Sequence, residues 1–334
     1  MKTPVSVSIA FVQGMLAGVR SQRMAPEAWL AEAGIDPALL EQAGARVTGE
    51  QYVALYRVLN ERLNDDGLGF YSRVLKRGSF TLILRSGLGA PDLEVAMRRI
   101  ARTFGLLQDD IELLPLHDAG RAGWGLRFTN AAAGQPRFIH EMLLRIVWCM
   151  VAWLVARRLS ALRFDLAFDR PPYADSYRHV LPGEVRFCRP MSALWFDAHA
   201  LRSPIRRDEA ALRNFVAHIQ RNVVLPRRND GDIGTRVRLH LQRAIPAWPD
   251  LESTARTLHM SASTLQRHLA AEQTTFQALK DELRRDLAIA RLNTSMVPLA
   301  VIAGELGFSD SAAFQRAFKA WTGSPPGSYR RRTP

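Results

Sequence analysis

At 334 residues, with 47% hydrophobic and 23% charged positions, the chain has the composition of a soluble globular protein and room for two domains with separate cores. Lysine and arginine outnumber aspartate and glutamate 45 to 32, a formal net charge of +13 that favours an anionic partner, nucleic acid first. A membrane span is not expected, because the most apolar run, Ile146 to Ala156, lies between Arg145 and Arg157 and is too short for the roughly 30 Å hydrocarbon layer.

Met1-Lys2-Thr3-Pro4-Val5 opens a poor signal peptide, and a cytoplasmic protein is expected. Cys149 and Cys188, with no CxxC, are expected as buried reduced thiols. The region from Asp230 onward carries only about +4 of the charge, so most upstream arginines are read as solvated.

In chain order, Val5 to Arg20 suits a helix entering a core, and Pro26 to Ala33 a second helix. Asp36 should cap Pro37 to Glu41. Thr48-Gly49-Glu50-Gln51 has the form of a capping box starting a helix to Leu63. Phe80 to Gly87 reads as strand or helix, since a short apolar run does not decide, and Asp92 to Phe104 reads as a helix. Ile111 to Leu116 and Gly123 to Asn130 alternate as two strands. Phe138 to Leu159 reads as a long buried helix, Leu162 to Phe168 as a strand, Asp175 to Val180 as a helical turn and Glu184 to Phe187 as a strand. Strands interleaved with helices make this front part, residues 1–207, an α+β domain. Asp208 to Val223 is expected as a helix running into a polar, basic linker, Leu225 to Gly231, so that residues 208–231 join the domains.

Residues 232–334 read as an all-α domain that states one pattern twice. Asp232 to Ile245 supplies its first helix. Leu251 to Leu269 and Leu299 to Phe318 then match at an offset of about 48 residues, Ala255 with Ala303, Leu258 with Leu306 and Ser261 with Ser309. Beyond the turn the offset grows by one, pairing Gln266-Arg267 with Gln315-Arg316 and Leu269 with Phe318. Alanine lets a second helix cross closely, the leucines close the core beneath, and Ser261 and Ser309 stand where they would cap the following helix. Gly307 should supply a positive φ in the second turn, whereas His259 stands at that place in the first. These are two helix-turn-helix units, about 251–270 and 299–321. Between them Thr275 to Asn293, with Phe276, Leu279, Leu283, Leu287 and Ala290 or Leu292 at helical spacing, is a rod of roughly 28 Å. That is close to the roughly 34 Å between successive major-groove faces of a duplex.

These residues, with the Arg284, Ala288, Leu292 series and the closing Gly323-Ser324-Pro325-Pro326-Gly327-Ser328-Tyr329-Arg330, resemble the AraC/XylS family of bacterial transcriptional regulators over Asp232 to Arg330. Gly34-Ile35-Asp36-Pro37, Gly87 to Leu93, and Val185 to Pro190 leading to Leu194-Trp195-Phe196-Asp197 resemble the arabinose-binding-type regulatory domain at the front of one branch of that family. The resemblance implies a front domain that senses a small molecule and carries dimer contacts.

In such a reading helix the N-terminal half reaches base edges while hydroxyls and helix ends hold phosphates. Ser263, Gln266 and Arg267, and Ser311, Ala312, Gln315 and Arg316, are the base-reading candidates. Arginine can clasp guanine and glutamine adenine, while Ala312 offers at most contact with a thymine methyl. Thr264, Ser309 and Lys319 are phosphate candidates. Trp124, Arg127, Trp148, Trp153 and Trp195 are candidates for an effector pocket.

The sequence holds no Walker loop, no HExxH and no GxSxG, and His140-Glu141 lacks a second histidine four residues on. No enzyme, cofactor or metal site is expected. The expected function is sequence-specific binding of promoter or operator DNA, modulated by a small-molecule effector and with activation as the output. A homodimer is expected, with RNA polymerase as a further partner. Two alternatives are an Ada-type DNA-alkyl-transfer protein, for which Cys188 lacks the Pro-Cys-His-Arg setting, and a non-specific architectural DNA binder.

Overall fold

A computed structural model describes residues 5–156, 159, 161–218 and 232–330. In chain order it contains β1 (Ser6–Ser8), α1 (Ile9–Met15), α2 (Ala17–Ser21), α3 (Glu27–Glu32), a 3-10 turn (Pro37–Glu41), β2 (Arg46–Thr48), α4 (Gly49–Leu63), α5 (Ser79–Arg85) and α6 (Leu93–Leu107). There follow β3 (Ile111–Asp118), β4 (Arg121–Phe128), α7 (Ala131–Gly134), α8 (Arg137–Leu154), β5 (Arg163–Asp165), α9 (Tyr177–Val180), β6 (Glu184–Arg186), β7 (Ser192–Asp197) and α10 (Glu209–Ala217). The C-terminal helices are α11 (Ile233–Arg243), α12 (Leu251–Thr257), α13 (Ala262–Ala271), α14 (Phe276–Thr294), α15 (Leu299–Glu305) and α16 (Ser311–Thr322). Among the described residues no helix is long and apolar enough to cross a membrane.

The chain divides into two compact units, with a boundary at Pro226 inside the expected joining segment 208–231 and two N-terminal pieces grouped with the C-terminal residues. One unit lies within Ala10–Gly34 and Tyr52–Pro226; the other joins Met1–Ile9 and Ile35–Gln51 to Arg227–Pro334. The expected linker, Leu225 to Gly231, and the end of the expected helix to Val223 lie outside the described residues.

The front unit is built on a five-stranded sheet in the order β3-β4-β7-β5-β6, antiparallel except for the β5–β6 pair. β7, which the sequence analysis does not mark as a strand, is the strand that joins the β3–β4 hairpin to β5. Its Leu194 and Phe196 are fully buried, in one layer with Trp124, Leu126 and Phe164. α8 packs on β7, and it is shorter than expected, ending at Leu154. Phe80 to Gly87 resolves as the helix α5. Asp92 caps α6 by accepting from the Val95 N–H at 2.9 Å, one of the donors a helix start otherwise leaves open.

In the second unit Ser6 to Ser8 form a strand rather than the expected helix start. They pair antiparallel with β2, Val7 opposite Val47. The capping box forms as expected: the Gln51 N–H donates to Thr48 Oγ1 at 3.1 Å and the Thr48 N–H to Gln51 Oε1 at 2.9 Å. The Gln51 side chain then reaches on to Asn293 of α14, donating to its Oδ1 at 3.0 Å. The Arg46 N–H donates to the Tyr329 hydroxyl at 3.0 Å. At Gly44 a Cβ would come within 2.9 Å of the Thr322 carbonyl oxygen, so the segment lies directly against the end of α16.

Asp286, in the middle of α14, is the centre of this unit. It is 3% exposed and accepts from the Ser6 hydroxyl, from the Arg238 guanidinium of α11 and, at 3.4 Å, from Arg285. Arg46 completes the cluster, donating from Nε to Ser6 Oγ at 2.7 Å and from Nη2 to the Ser6 carbonyl at 2.9 Å. Burial alone would raise the Asp286 carboxyl, but Arg238, Arg285, Arg46 and the Ser6 hydroxyl outweigh it and hold the group well below the usual carboxylate range. Burial and the neighbouring Arg285 push Arg46 down to about 10, so it is still charged at neutral pH.

Removing one partner of such a pair leaves the others buried without their counter-charge. Asp286→Ala should therefore destabilise this unit by about 3–5 kcal/mol, read in the full chain as faster hydrogen exchange of α11 and α14. A depressed folded-state value adds stability that is complete above the unfolded carboxyl's range and is lost as pH falls through the folded value. Asp286→Asn should accordingly flatten the acid limb of this unit's unfolding profile below about pH 4. An unchanged limb would contradict the ionised hub.

Candidate DNA-binding interface

Both helix-turn-helix units form as read. In the first, Asp250 caps α12 through the Ser253 N–H at 2.8 Å, and Ala255 is buried with Leu265 and Leu269 of α13. In the second, Ile302, Ala303 and Leu306 close on Phe314 and Phe318 of α16. The turns match: His259 has φ +59° and Gly307 φ +72°, so the histidine adopts the left-handed conformation that glycine adopts more readily.

The caps differ from the expectation at one residue. Ser261 caps α13, its Oγ accepting from the Thr264 N–H at 3.1 Å. Ser309 does not cap α16; Asp310 does, accepting from the Ala313 N–H at 2.7 Å, while the Ser309 hydroxyl donates to Asp310 Oδ2 at 3.1 Å. Ser309 is thus the extra residue that lengthens the repeat offset, and the structural partner of Ser261 is Asp310. That cap N–H holds the Asp310 carboxyl below its ordinary range, so the second reading helix begins with a negative charge where the first begins with a hydroxyl.

Seen from the caps, Ser263, Gln266 and Arg267 are exposed on α13, and Ala312, Gln315, Arg316 and Lys319 on α16. Ser311 and Thr264 are half-buried, and Ser309 is exposed. Neither Arg267 nor Arg316 makes a hydrogen bond or a close ion pair with another described residue, although Arg316 is near enough to Asp310 to help hold its carboxyl down.

α14 joins the two units as a single helix of 19 residues, capped by Thr275 through the Ala278 N–H at 3.1 Å. Its first half buries Leu279 and Leu283 as expected. In its second half Asp286, Ala288, Ile289 and Leu292 are buried while Leu287 and Ala290 are only half-buried, because the face turned inward carries the ionic hub.

Arg284 fixes the second turn to this rod. Its guanidinium lies 4.9 Å from the ring centres of both Trp248 and Phe308 and donates to the Gly307 carbonyl at 3.3 Å. Trp248 in turn donates from Nε1 to the Glu305 carbonyl at 3.0 Å, and its own carbonyl accepts from Lys280 Nζ at 3.0 Å. A Cβ at Gly307 would meet the Trp248 ring at 2.6 Å.

The five effector-pocket candidates do not come together. Trp124 pairs with Leu194 and Trp195 with Gly123, and alternate residues of a strand point to opposite faces, so the two indoles lie on opposite sides of the sheet. Trp195 donates to Asp165 Oδ2 at 2.7 Å under Arg163, and Arg127 is exposed and ion-paired to Glu112. On α8, Trp148 stacks with Arg145, whereas Trp153 packs on Phe215 of α10 beneath Arg207.

What the sequence analysis passed over is the polar content of α8. His140 is buried: its Nε2–H donates to the Gly134 carbonyl at 2.9 Å and its Nδ1 meets the Ser192 hydroxyl at 2.7 Å. A carbonyl can only accept, which assigns the proton to Nε2 and makes Ser192 the donor. Burial lowers the imidazole's affinity for a second proton. Glu141 is 2% exposed and accepts from the hydroxyls of Tyr173, at 2.9 Å, and Tyr177. Burial outweighs those two bonds and raises its carboxyl to about 7. The His140-Glu141 pair was the visible signal, but only as a fragment of a metal motif.

Cys149 is buried as expected, but Cys188 is exposed, with φ +55°. Its thiol donates to Asp169 Oδ1 at 3.2 Å, and that bond raises it above the usual thiol range, the opposite of what a thiolate nucleophile needs.

Residues 24–205 match the family model described as the arabinose-binding domain of AraC transcription regulator, N-terminal, and residues 254–332 match a helix-turn-helix domain. The ornithine utilization regulator of Pseudomonas aeruginosa is 27% identical over 336 residues, covering 99% of either chain. The HTH-type transcriptional regulator VqsM of the same organism is 36% identical over 100 residues, 30% of this chain and 31% of its own. The RCS-specific HTH-type transcriptional activator RclR of Escherichia coli is 28% identical over 253 residues, 73% of this chain and 82% of its own.

Two outcomes follow from this geometry. Arg284→Ala should loosen the second turn by about 1–2 kcal/mol, raising hydrogen exchange in α15 and α16 while leaving α12 and α13 unchanged; equal change in both units would refute its local role. For Glu141, the native state keeps its proton to about 7 while the unfolded chain releases it near 4.5. The front unit should therefore lose stability as pH rises across that window, and Glu141→Gln should remove the slope in pH-dependent exchange of α8.

Proposed function

We propose, for a chain that belongs to the AraC family of transcription regulators and carries an arabinose-binding-type domain ahead of a helix-turn-helix domain, that it binds specific promoter or operator sequences under the control of a small-molecule effector. The observation that carries the reading is the pair of reading helices, each with an exposed glutamine and an exposed arginine near its N-terminal half, held on one rigid helix. Such side chains can clasp adenine and guanine bidentately in the major groove. Thr264, Ser309 and Lys319 are assigned to phosphates, and Ser311, half-buried, to the edge of the contact.

Effector control is supported by the front domain's family and by similarity along the whole length to a regulator of ornithine utilization. Activation is supported by the likeness to RclR, an activator by name. A cytoplasmic homodimer on repeated half-sites, working through contact with RNA polymerase, completes the proposal. The raised thiol of Cys188 argues against alkyl transfer.

The test is binding of the full chain to DNA upstream of its own gene against scrambled duplex at fixed salt. Arg267→Ala and Arg316→Ala should each cost about 1–3 kcal/mol of discrimination. Lys319→Ala should weaken binding to all sequences alike and reduce the salt slope by about one. Binding no better than to scrambled duplex, with both arginine substitutions silent, would overturn the reading.

A further inference from the structure

Counted from their structural caps, the two reading helices present the same pair at the same place. Gln266 and Arg267 stand five and six residues after Ser261; Gln315 and Arg316 stand five and six after Asp310. The cores agree as well, since Leu265 and Leu269 are buried four and eight residues after the first cap and Phe314 and Phe318 four and eight after the second. With a fixed turn per residue, the glutamine and arginine therefore leave each unit at the same angle from the same scaffold. With Asp310 in place of Ser309 as the second cap, the caps fall into the same register as these pairs.

We infer that one protomer reads the same two-base core twice, with adenine facing the glutamine and guanine facing the arginine, at two places about one helical turn apart. The pairing of side chain with base follows from the bidentate patterns each offers in the major groove. The spacing follows from the linking helix of 19 residues, roughly 28 Å long against a turn of roughly 34 Å. The copies differ around that core. Two residues after the cap the first helix has Ser263 and the second Ala312, and nine after it the first has Ala270 and the second Lys319. The second helix also begins at the Asp310 carboxylate, where the first begins at the Ser261 hydroxyl. The two cores are alike and their flanking bases are not.

This inference rests on the proposed DNA-binding reading and fails separately from it. The full chain is used to select from random duplexes spanning roughly three helical turns, and selection is repeated with Gln266→Ala and with Gln315→Ala. The expected result is one two-base core enriched twice within the site of each protomer, about 10 base pairs apart. Each substitution should relax the adenine of one copy by roughly fivefold or more and leave the other sharp, which shows that the variant is folded. Two unrelated cores, a single core, or relaxation at different bases in the two variants would overturn the repeat. No enrichment over the input pool would overturn the DNA-binding reading beneath it.

Discussion

A carboxylate taken out of water has to be met by charge and by hydrogen bonds, and in the C-terminal unit that requirement falls on Asp286. Four separate pieces of chain answer it: α11 through Arg238, α14 through Arg285, β1 through Ser6, and β2 through Arg46 acting on Ser6. None of these pieces is next to all the others in sequence. The hub therefore fixes the angle at which α11 crosses the linking helix and also binds a short N-terminal hairpin to it. Ion pairs of this kind contribute little net stability compared with an apolar core, but an arrangement that removes one partner strands a buried charge and is costly.

Just before Asp286 on the linking helix a different interaction operates. Arg284, between two aromatic rings and under the Gly307 carbonyl, ties the turn of the second helix-turn-helix to α14, while Trp248 comes from the loop that precedes the first. The reading helices are thus positioned by one ionic centre and one stacked cation on the same rod. On their outer faces Gln266, Arg267, Gln315 and Arg316 are exposed and, among the described residues, carry no such ties.

The doubled C-terminal pattern was legible because each of its letters answers a local demand: a small residue at a crossing, a cap, a left-handed turn. The same holds for the capping box at Thr48 and for Asp36, whose side chain accepts from the Ala38 N–H at 2.9 Å. The cap at Asp310 was missed because Ser309 and Asp310 are both good capping residues and alignment by letters put the inserted residue after the serine. β1 and β2 were missed because three-residue strands have too few positions to show an alternation, and their pairing is fixed by contacts across a long stretch of chain. β7 was not marked as a strand although Leu194 and Phe196 alternate with Trp195, since no turn signal sets it off from the basic loop before it. The pocket candidates fall on different faces because composition alone does not say which face of a sheet a residue occupies. Glu141, by contrast, sat in view beside His140, and only its burial among tyrosines distinguishes it from a surface acid.

The path of the chain between the two units has a consequence for descent. The unit that holds the helix-turn-helix pair takes Met1–Ile9 and Ile35–Gln51 as well as the C-terminal residues, so the two units are interleaved along the chain and not strung in tandem. A recombination event at the segment before Asp232 would transfer the doubled helix-turn-helix without Ser6 and Arg46, leaving the Asp286 centre short of its hydroxyl donor and one of its cations. Front and back of this lineage can then be exchanged freely only with relatives that bring a matching hairpin, and substitutions at Ser6, Arg46, Arg238 and Asp286 should be inherited together although they lie at opposite ends of the gene.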